Sequence, residues 1–304
     1  MRRKAYMGIN PGLKKSAYIC RYFLLVLLVF FFSCTPSPKE SKFVKPKENA
    51  APKLEVYFVD VGQGDAEYIV LPNGQNVLVD GGPKRNVEKL KAFLSNHSIT
   101  RIDHLVLSHP DEDHYGGLEY VFDNCQVNNF YDTELVKQSA DKVRQKAKVE
   151  PGCQIYYPSE NTTLTWDPKV KVQVLSAYAP NTPSASSVNN ASIVLKMTYK
   201  NNSILFTGDI DTRIEDNLIK KYGNDLSSNV LKVSHHGSKH ASSEAFLDKV
   251  KPKSSYIEVD AKDSKAIQYG HPDDNTVKRL KNTGSKVYRT DESGTMTITS
   301  NSGF

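Results

Sequence analysis

No run of apolar residues in this sequence is long enough to cross a bilayer comfortably, which takes ~20 of them. The longest, Tyr22–Phe32, has the length of a signal-peptide core. Net charge is also missing once it is located. Residues 1–34 carry Arg2, Arg3, Lys4, Lys14, Lys15 and Arg21 with no Asp or Glu, so taking these six from the 40 Lys and Arg leaves 34 basic against 34 acidic residues. A strongly basic domain would by itself argue for a nucleic-acid partner, and a near-neutral one does not. Cysteine is scarce: beyond Cys34 only Cys125 and Cys153 remain. Two thiols exclude a framework of bridges and leave either one disulfide, in an oxidising compartment, or two separate buried thiols. The apolar and charged fractions, 38% and 24%, exclude general disorder, and 304 residues suffice for one or two domains with a large core.

The amino-terminal segment reads as an export signal. A basic stretch up to Arg21 precedes the apolar core, and Ser33-Cys34 comes directly after it. That ending resembles a bacterial lipoprotein cleavage site, although Phe31 and Phe32 stand where Leu and a small residue are usual. Cys34 would become the lipidated first residue. An ordinary signal peptide or an uncleaved anchor are the alternatives. All three readings place the rest of the chain outside the cytoplasm, and the lipoprotein and uncleaved-anchor readings also fasten it to the membrane. Residues 35–53 are rich in Pro, Lys and Ser and cannot bury enough surface to fold, so they read as a flexible tether. The expected organisation is a signal segment over 1–34, a tether over 35–53 and a folded domain over 54–304.

Residues 104–117 hold the chemistry. The apolar run Leu105-Val-Leu predicts a buried strand that enters a loop carrying His109, Asp111, Asp113 and His114 and closing at Gly116-Gly117. Alternation sends His109 and Asp111 one way, while Asp113 and His114 come from the following turn, so one loop can reach two metal ions. Before it, Leu54–Asp60, Glu67–Leu71 and Asn76–Asp80 read as strands, and Asn86–Asn96 as a helix with Val87, Leu90, Phe93 and Leu94 at helical spacing. The turn Val59-Asp-Val-Gly-Gln-Gly-Asp-Ala66 is either a plain β-turn or a set of amides facing an anion. Asp80 ends an apolar strand and, partly buried there, needs a partner such as the free N–H of a ligand imidazole.

The stretch from Leu118 to Asn190 shows less pattern: a short basic helix over Ala140–Val149, a strand over Lys169–Ala177 and a polar loop over Ala179–Asn190. From Ala191 the first half returns. Ala191–Tyr199 and Ser203–Phe206 read as a hairpin, Thr207-Gly-Asp209 ends it, a helix spans Asp211–Tyr222, and the strand Asn229–Ser234 runs into His235-His-Gly-Ser238. Hairpin, acid, helix, strand and histidine loop therefore occur twice. Two such halves packed face to face bring both sets of strand ends to one edge.

These motifs, together with Tyr269-Gly-His-Pro272, Thr290 and Gly294, resemble those of the metallo-β-lactamase fold over about residues 54–300. The branch they are most similar to is the extracytoplasmic domain of the DNA-internalisation competence protein ComEC. The resemblance implies an α/β four-layer αββα sandwich of two pseudo-repeated halves. It implies two divalent metal ions, with His109 and Asp111 on one, Asp113 and His114 on the other, and Asp209 bridging them. Asp111 stands where the wider fold has a second His. His235 and His236 both remain candidates for the late histidine ligand, and the separate histidine of many members is missing, with Asn189 or Asn190 near its place. Asp80, Asp60 and Asp65 would stand behind the ligands, and Gln63, Asn190 and Ser238 would touch substrate.

Two metals ~4 Å apart lower the pKa of a shared water and stabilise the entering and leaving oxygens of a displacement. Asp113 is a catalytic candidate by its place, and His271 or Lys232 would stabilise or protonate a leaving group. The carboxylates favour Mn²⁺ more than an all-histidine site would, with Zn²⁺ the default. The expected function is an extracytoplasmic metal-dependent phosphodiesterase or nuclease acting on DNA, single-stranded DNA foremost. The alternatives are an envelope phosphodiesterase of the phosphocholine-esterase type and a non-catalytic binding module. No protein partner is implied.

Overall fold

In the computed structural model, the described residues are 52–300. The expected leader, Cys34, and the expected tether as far as residue 51 lie outside them. Along the chain come β1 (Glu55–Phe58), β2 (Glu67–Val70), β3 (Asn76–Val79), helix α1 (Val87–Asn96) and β4 (Arg101–Val106). The short α2 (Glu112–Tyr115) and α3 (Leu118–Asn124) lead to β5 (Gln126–Tyr131), α4 (Asp141–Val149) and β6 (Gln154–Tyr156). Next are β7 (Thr163–Asp167), β8 (Val170–Ser176), β9 (Val194–Tyr199), β10 (Asn202–Phe206), α5 (Thr212–Tyr222) and β11 (Val230–Lys232). The chain ends with α6 (Glu244–Val250), β12 (Ser254–Ile257), α7 (Ser264–Tyr269), α8 (Asp274–Asn282), β13 (Lys286–Arg289), α9 (Thr290–Ser293) and β14 (Met296–Thr299).

Among the described residues the strands make two seven-stranded sheets, ordered β14-β1-β2-β3-β4-β5-β6 and β13-β12-β11-β10-β9-β8-β7. The internal repeat is visible in the pairing. β2 and β3 form a hairpin, and β3 then runs parallel to β4 through α1; β9 and β10 form the corresponding hairpin, and β10 runs parallel to β11 through α5. Parallel neighbours end on the same side, so the loops after β3, β4, β10 and β11 share one edge.

Side-chain alternation explains the layers. On β3, Val77 and Val79 enter the core between the sheets while Leu78 faces the helices; on β10, Ile204 and Phe206 enter the same core while Leu205 faces the other helical layer. Leu90, Phe93 and Leu94 of α1 cover the first sheet, and Ile214 and Leu218 of α5 cover the second. Burying each such side chain stabilises the fold by about 1.5–3 kcal/mol. Three apolar cores thus separate four layers, αββα, as the resemblance implies.

Some local readings change. The loop over residues 179–190 holds two single 3₁₀ turns, Pro183–Ala185 and Asn189–Ala191, and buries Ser184, Asn190 and Ala191. The β9–β10 turn is Lys200-Asn201 rather than Lys200–Asn202, because Asn202 already pairs with Tyr199. Cys125 and Cys153 are both free thiols, Cys125 within the helix-facing core of the first sheet. Among the described residues no helix is long and apolar enough to cross a membrane.

Candidate metal centre

The loop after β4 is held by backbone, which explains its glycines. Gly81 N donates to His114 O at 2.8 Å and Gly117 N to Gly82 O at 3.0 Å, so the two glycine pairs lie back to back. A Cβ on Gly117 would stand 2.1 Å from Gly81 O, and one on Gly64 2.4 Å from Asp113 O. The glycine turn after β1 is therefore a wedge under the metal loop. Three of its amides are already engaged: Gly62 N on Asp60, Asp65 N on Asp113 O and Ala66 N on Glu258.

Four imidazoles converge on one oxygen. Asp209 Oδ2 lies 3.2 Å from His114 Nε2, 3.6 Å from His236 Nε2, 3.8 Å from His235 Nε2 and 3.9 Å from His109 Nε2. Asp113 Oδ2 is 3.5 Å from His236 Nε2, and Asp111 Oδ2 is 3.6 Å from His109 Nε2. The rings are oriented from behind. His114 Nδ1 meets Asp80 at 2.8 Å, His236 Nδ1 meets Glu258 O at 2.8 Å, and His109 Nδ1 lies 3.1 Å from Ser108 Oγ and 3.3 Å from Ser192 Oγ. Partners on Nδ1 are what fix a ligand imidazole with Nε2 inward.

Those inward atoms are without hydrogen bonds. The Nε2 atoms of His109, His114 and His236 and Oδ1 of Asp209 are buried and unpartnered, a costly state for polar groups unless something fills the space between them. Donor atoms within 4.8 Å of one another include the sets Asp113, His114, His236 and His109, His114, Asp209. Imidazole and carboxylate donors in this number suit Zn²⁺ or Mn²⁺, so the residues present fit divalent metal ions.

Electrostatics point the same way. Burial opposes charge on His236, but Asp209 and Asp65 outweigh it and push its pKa up to about 10. His114 is likewise raised despite burial, by Asp209, Asp80 and Asp65. Burial would raise the pKa of Asp113, yet His236 and His114 hold it below the usual carboxylate range. The carboxylates thus demand positive charge at the imidazoles, which protons or metal ions can supply. Burial, then His236 and His235, bring His271 down to about 4, so it is neutral at pH 7.

His236 and His235 differ in role. Both have left-handed backbone, φ 51° and 52°, followed by Gly237 at 81°. Such residues are costly and concentrate at functional sites. The turn buries His236, with Nε2 facing Asp113, and leaves the side chain of His235 28% exposed, with Nε2 3.2 Å from Asn189 Nδ2.

Three sequence assignments are corrected. Lys232 cannot meet a leaving group: it is fully buried, with Nζ 2.5 Å from Asp65 Oδ2 and 4.0 Å from Glu258 Oε2. Asp60 does not back a ligand, because it turns to Lys89 on α1 at 2.8 Å. Asn190 is buried structure, accepting from Asp211 N and donating to Ser186, whereas Asn189 faces the site. Asp65 Oδ1 lies 3.2 Å from His236 Nδ1.

A cleft of about 630 Å³ opens over the centre and is lined by Gln63, Ser238 and His271 as well as the ligand candidates. Its walls add Tyr269, already part of a quoted motif, and three lysines that the sequence did not reveal, Lys137, Lys239 and Lys265. Glu67 and Glu258, buried beneath, were also missed; burial and then the charge of Asp65 push Glu258 up to about 8. Glu258 directly follows β12, and nothing local marked Lys137.

A model of the Metallo-beta-lactamase superfamily matches residues 59–257. ComE operon protein 3 of Bacillus subtilis is 29% identical over 260 residues, which cover 80% of this chain and 32% of that protein. Competence protein ComA of Neisseria gonorrhoeae is 30% identical over 263 residues, covering 84% and 34%. The chain thus spans about a third of the length of these relatives. Among solved structures, the metallo-beta-lactamase fold protein YhfI of Bacillus subtilis superposes with a TM-score of 0.54 at 12% identity, covering 82% of this chain and 99% of that one. The fold, the convergent donor atoms and the match over residues 59–257 agree: the chain belongs to the metallo-beta-lactamase superfamily, whose members are in general metal-dependent hydrolases.

Proposed function

We propose that this chain is a dinuclear metal-dependent phosphodiesterase whose substrate is DNA, exported by its amino-terminal signal and anchored to the membrane by a lipid on Cys34. The observation that carries the reading is the convergence of four imidazole Nε2 atoms within 3.2–3.9 Å of Asp209 Oδ2 at the floor of an open cleft. Asp113, His114 and His236 would hold one ion, His109 and Asp111 the other, and Asp209 would touch both. When bound, the ions supply a water of lowered pKa and positive charge against the phosphate.

The chain's own residues do the rest. Asp80, Asp65 and the carbonyl of Glu258 keep the rings facing inward. His271, neutral and lining the cleft, has an imidazole to offer as a hydrogen-bond donor for a leaving oxygen. Lys137, Lys239 and Lys265 come from three separate segments and suit successive phosphates, while Tyr269, 58% exposed, offers a face for a base. The relative named Competence protein ComA supports nucleic acid as the substrate class.

The test is hydrolysis of labelled single-stranded DNA by the protein with Mn²⁺, against Asp209→Asn. Cleavage is expected to fall at least about 100-fold in the variant, and a wild-type protein that binds metal but leaves DNA intact refutes the reading. Salt separates the substrates: affinity for DNA falls steeply with salt, whereas turnover of a small envelope phosphodiester does not.

A further inference from the structure

The two halves of the centre are not equally free to take a cation. Asp113, His114 and His236 lie together as one close donor set with Asp209 beside them, and His114 also forms a close set with His109 and Asp209. Asp111 is different: its Oδ1 is ion-paired with Lys137 Nζ, and among the described residues it joins none of the close donor sets. Lys137 is held there by the loop that carries it. Arg144 Nε and Nη2 donate to the fully buried carboxylate of Asp132 at 2.7 and 3.2 Å, and Nη2 also donates to Leu135 O at 2.9 Å. That clamp fixes residues 132–135 and delivers Lys137 over Asp111. On the same side the separate histidine is missing, and Asn189 contributes its amide to His235.

We propose that Lys137 is a built-in cation for the first half of the centre. The ion at Asp113, His114, His236 and Asp209 then binds first, and the ion at His109, Asp111 and Asp209 enters only by displacing the lysine from Asp111. The inference rests on the dinuclear reading above and specifies its order of filling: at limiting metal the chain carries one ion.

The test is equilibrium titration of the chelator-stripped full chain with Mn²⁺, followed by calorimetry and by the free-ion resonance signal, for wild type, Lys137→Met and Lys137→Arg. Removing the competing charge is expected to tighten the weaker equivalent by about tenfold, to leave the tighter one within about twofold, and to leave the arginine variant close to wild type. One equivalent in wild type that becomes two in Lys137→Met also supports the proposal. An unmoved or weakened second equivalent in Lys137→Met overturns it, as does an arginine variant that behaves like the methionine one. One equivalent in every chain overturns it and leaves a mononuclear centre. Failure of all three chains to bind metal removes the metal reading itself, and the proposal with it.

Discussion

Replacing Lys232 by Met tests the corrected role of that residue. The side chain keeps its length and loses its charge, in a place where both partners are inaccessible: Lys232 is 0% exposed and Asp65 1%. At the observed 2.5 Å separation and an effective dielectric of ~20, the attraction is about 7 kcal/mol. His236 Nδ1, 3.2 Å from the other oxygen of Asp65, takes over part of the compensation. The net cost then falls to the ~3–5 kcal/mol found when one member of a buried pair is removed. For a folded unit of this size that is on the order of 10 °C in Tm. Urea unfolding in EDTA, followed by the fluorescence of Trp166 in the inter-sheet core, measures it without metal. Lys232→Met combined with Asp65→Asn should cost less than the sum of the single changes by about 1–3 kcal/mol. A loss under about 1 kcal/mol, additive with Asp65→Asn, refutes the ion pair as a structural element. If stability held while metal-loaded turnover vanished, Lys232 would again be a catalytic candidate.

Asp80→Ala, which removes the partner of His114 Nδ1, should weaken metal binding by about 10–100-fold while leaving far-UV circular dichroism unchanged; unaltered affinity would show that Asp80 does not orient the ring. Glu258 gives a pH dependence. With its folded pKa near 8, against an ordinary value of 4.5, the native state holds a proton that the unfolded chain releases, so stability declines as pH rises from about 4.5 through about 8 and then levels off. Glu258→Gln should flatten that slope in chelated protein, and an identical slope would assign it to other groups. Phe206→Ala opens a cavity between the sheets and should cost about 3–5 kcal/mol by denaturant unfolding, whereas Val136→Ser, at a side chain 85% exposed, should stay within about 0.5 kcal/mol.

The features legible in the sequence are those the chain states locally. Val77 and Val79, and Ile204 and Phe206, announce inward faces by alternation, and the paired glycines announce backbone approaching backbone. The ligand candidates crowd into short loops at strand ends, so their types and spacing survive without any tertiary information. Long-range pairing does not. The partner of Lys232 stands 167 residues away, and that distance turned a buried cation into an expected acid. Asp60 and Asp65 flank the same turn, and sequence cannot tell that one faces α1 and the other the imidazoles. Lys137 belongs to a segment whose strands are brief and irregularly buried, β6 only three residues long, so no periodicity located it.

The repeat also explains how the two halves divide their work. β3 ends at Val79 and β10 at Phe206, so strand for strand the residue corresponding to Asp80 is Thr207, and Asp209 corresponds to Gly82. The two acids that look alike in sequence are therefore offset by two positions. Asp80, itself left-handed at φ 56° and tied to Val106 O through its amide, stays at the strand end and reaches Ser108 and the back of His114. In the second half the left-handed turn falls on Gly208, φ 50°, one residue later, and carries Asp209 past the sheet edge among the Nε2 atoms. A common frame with a two-residue displacement thus makes one carboxylate the support of a ring and places the other among the imidazoles at the centre. That is why the first loop must bring four of the ligand candidates, while the second strand end brings the acid on which they converge.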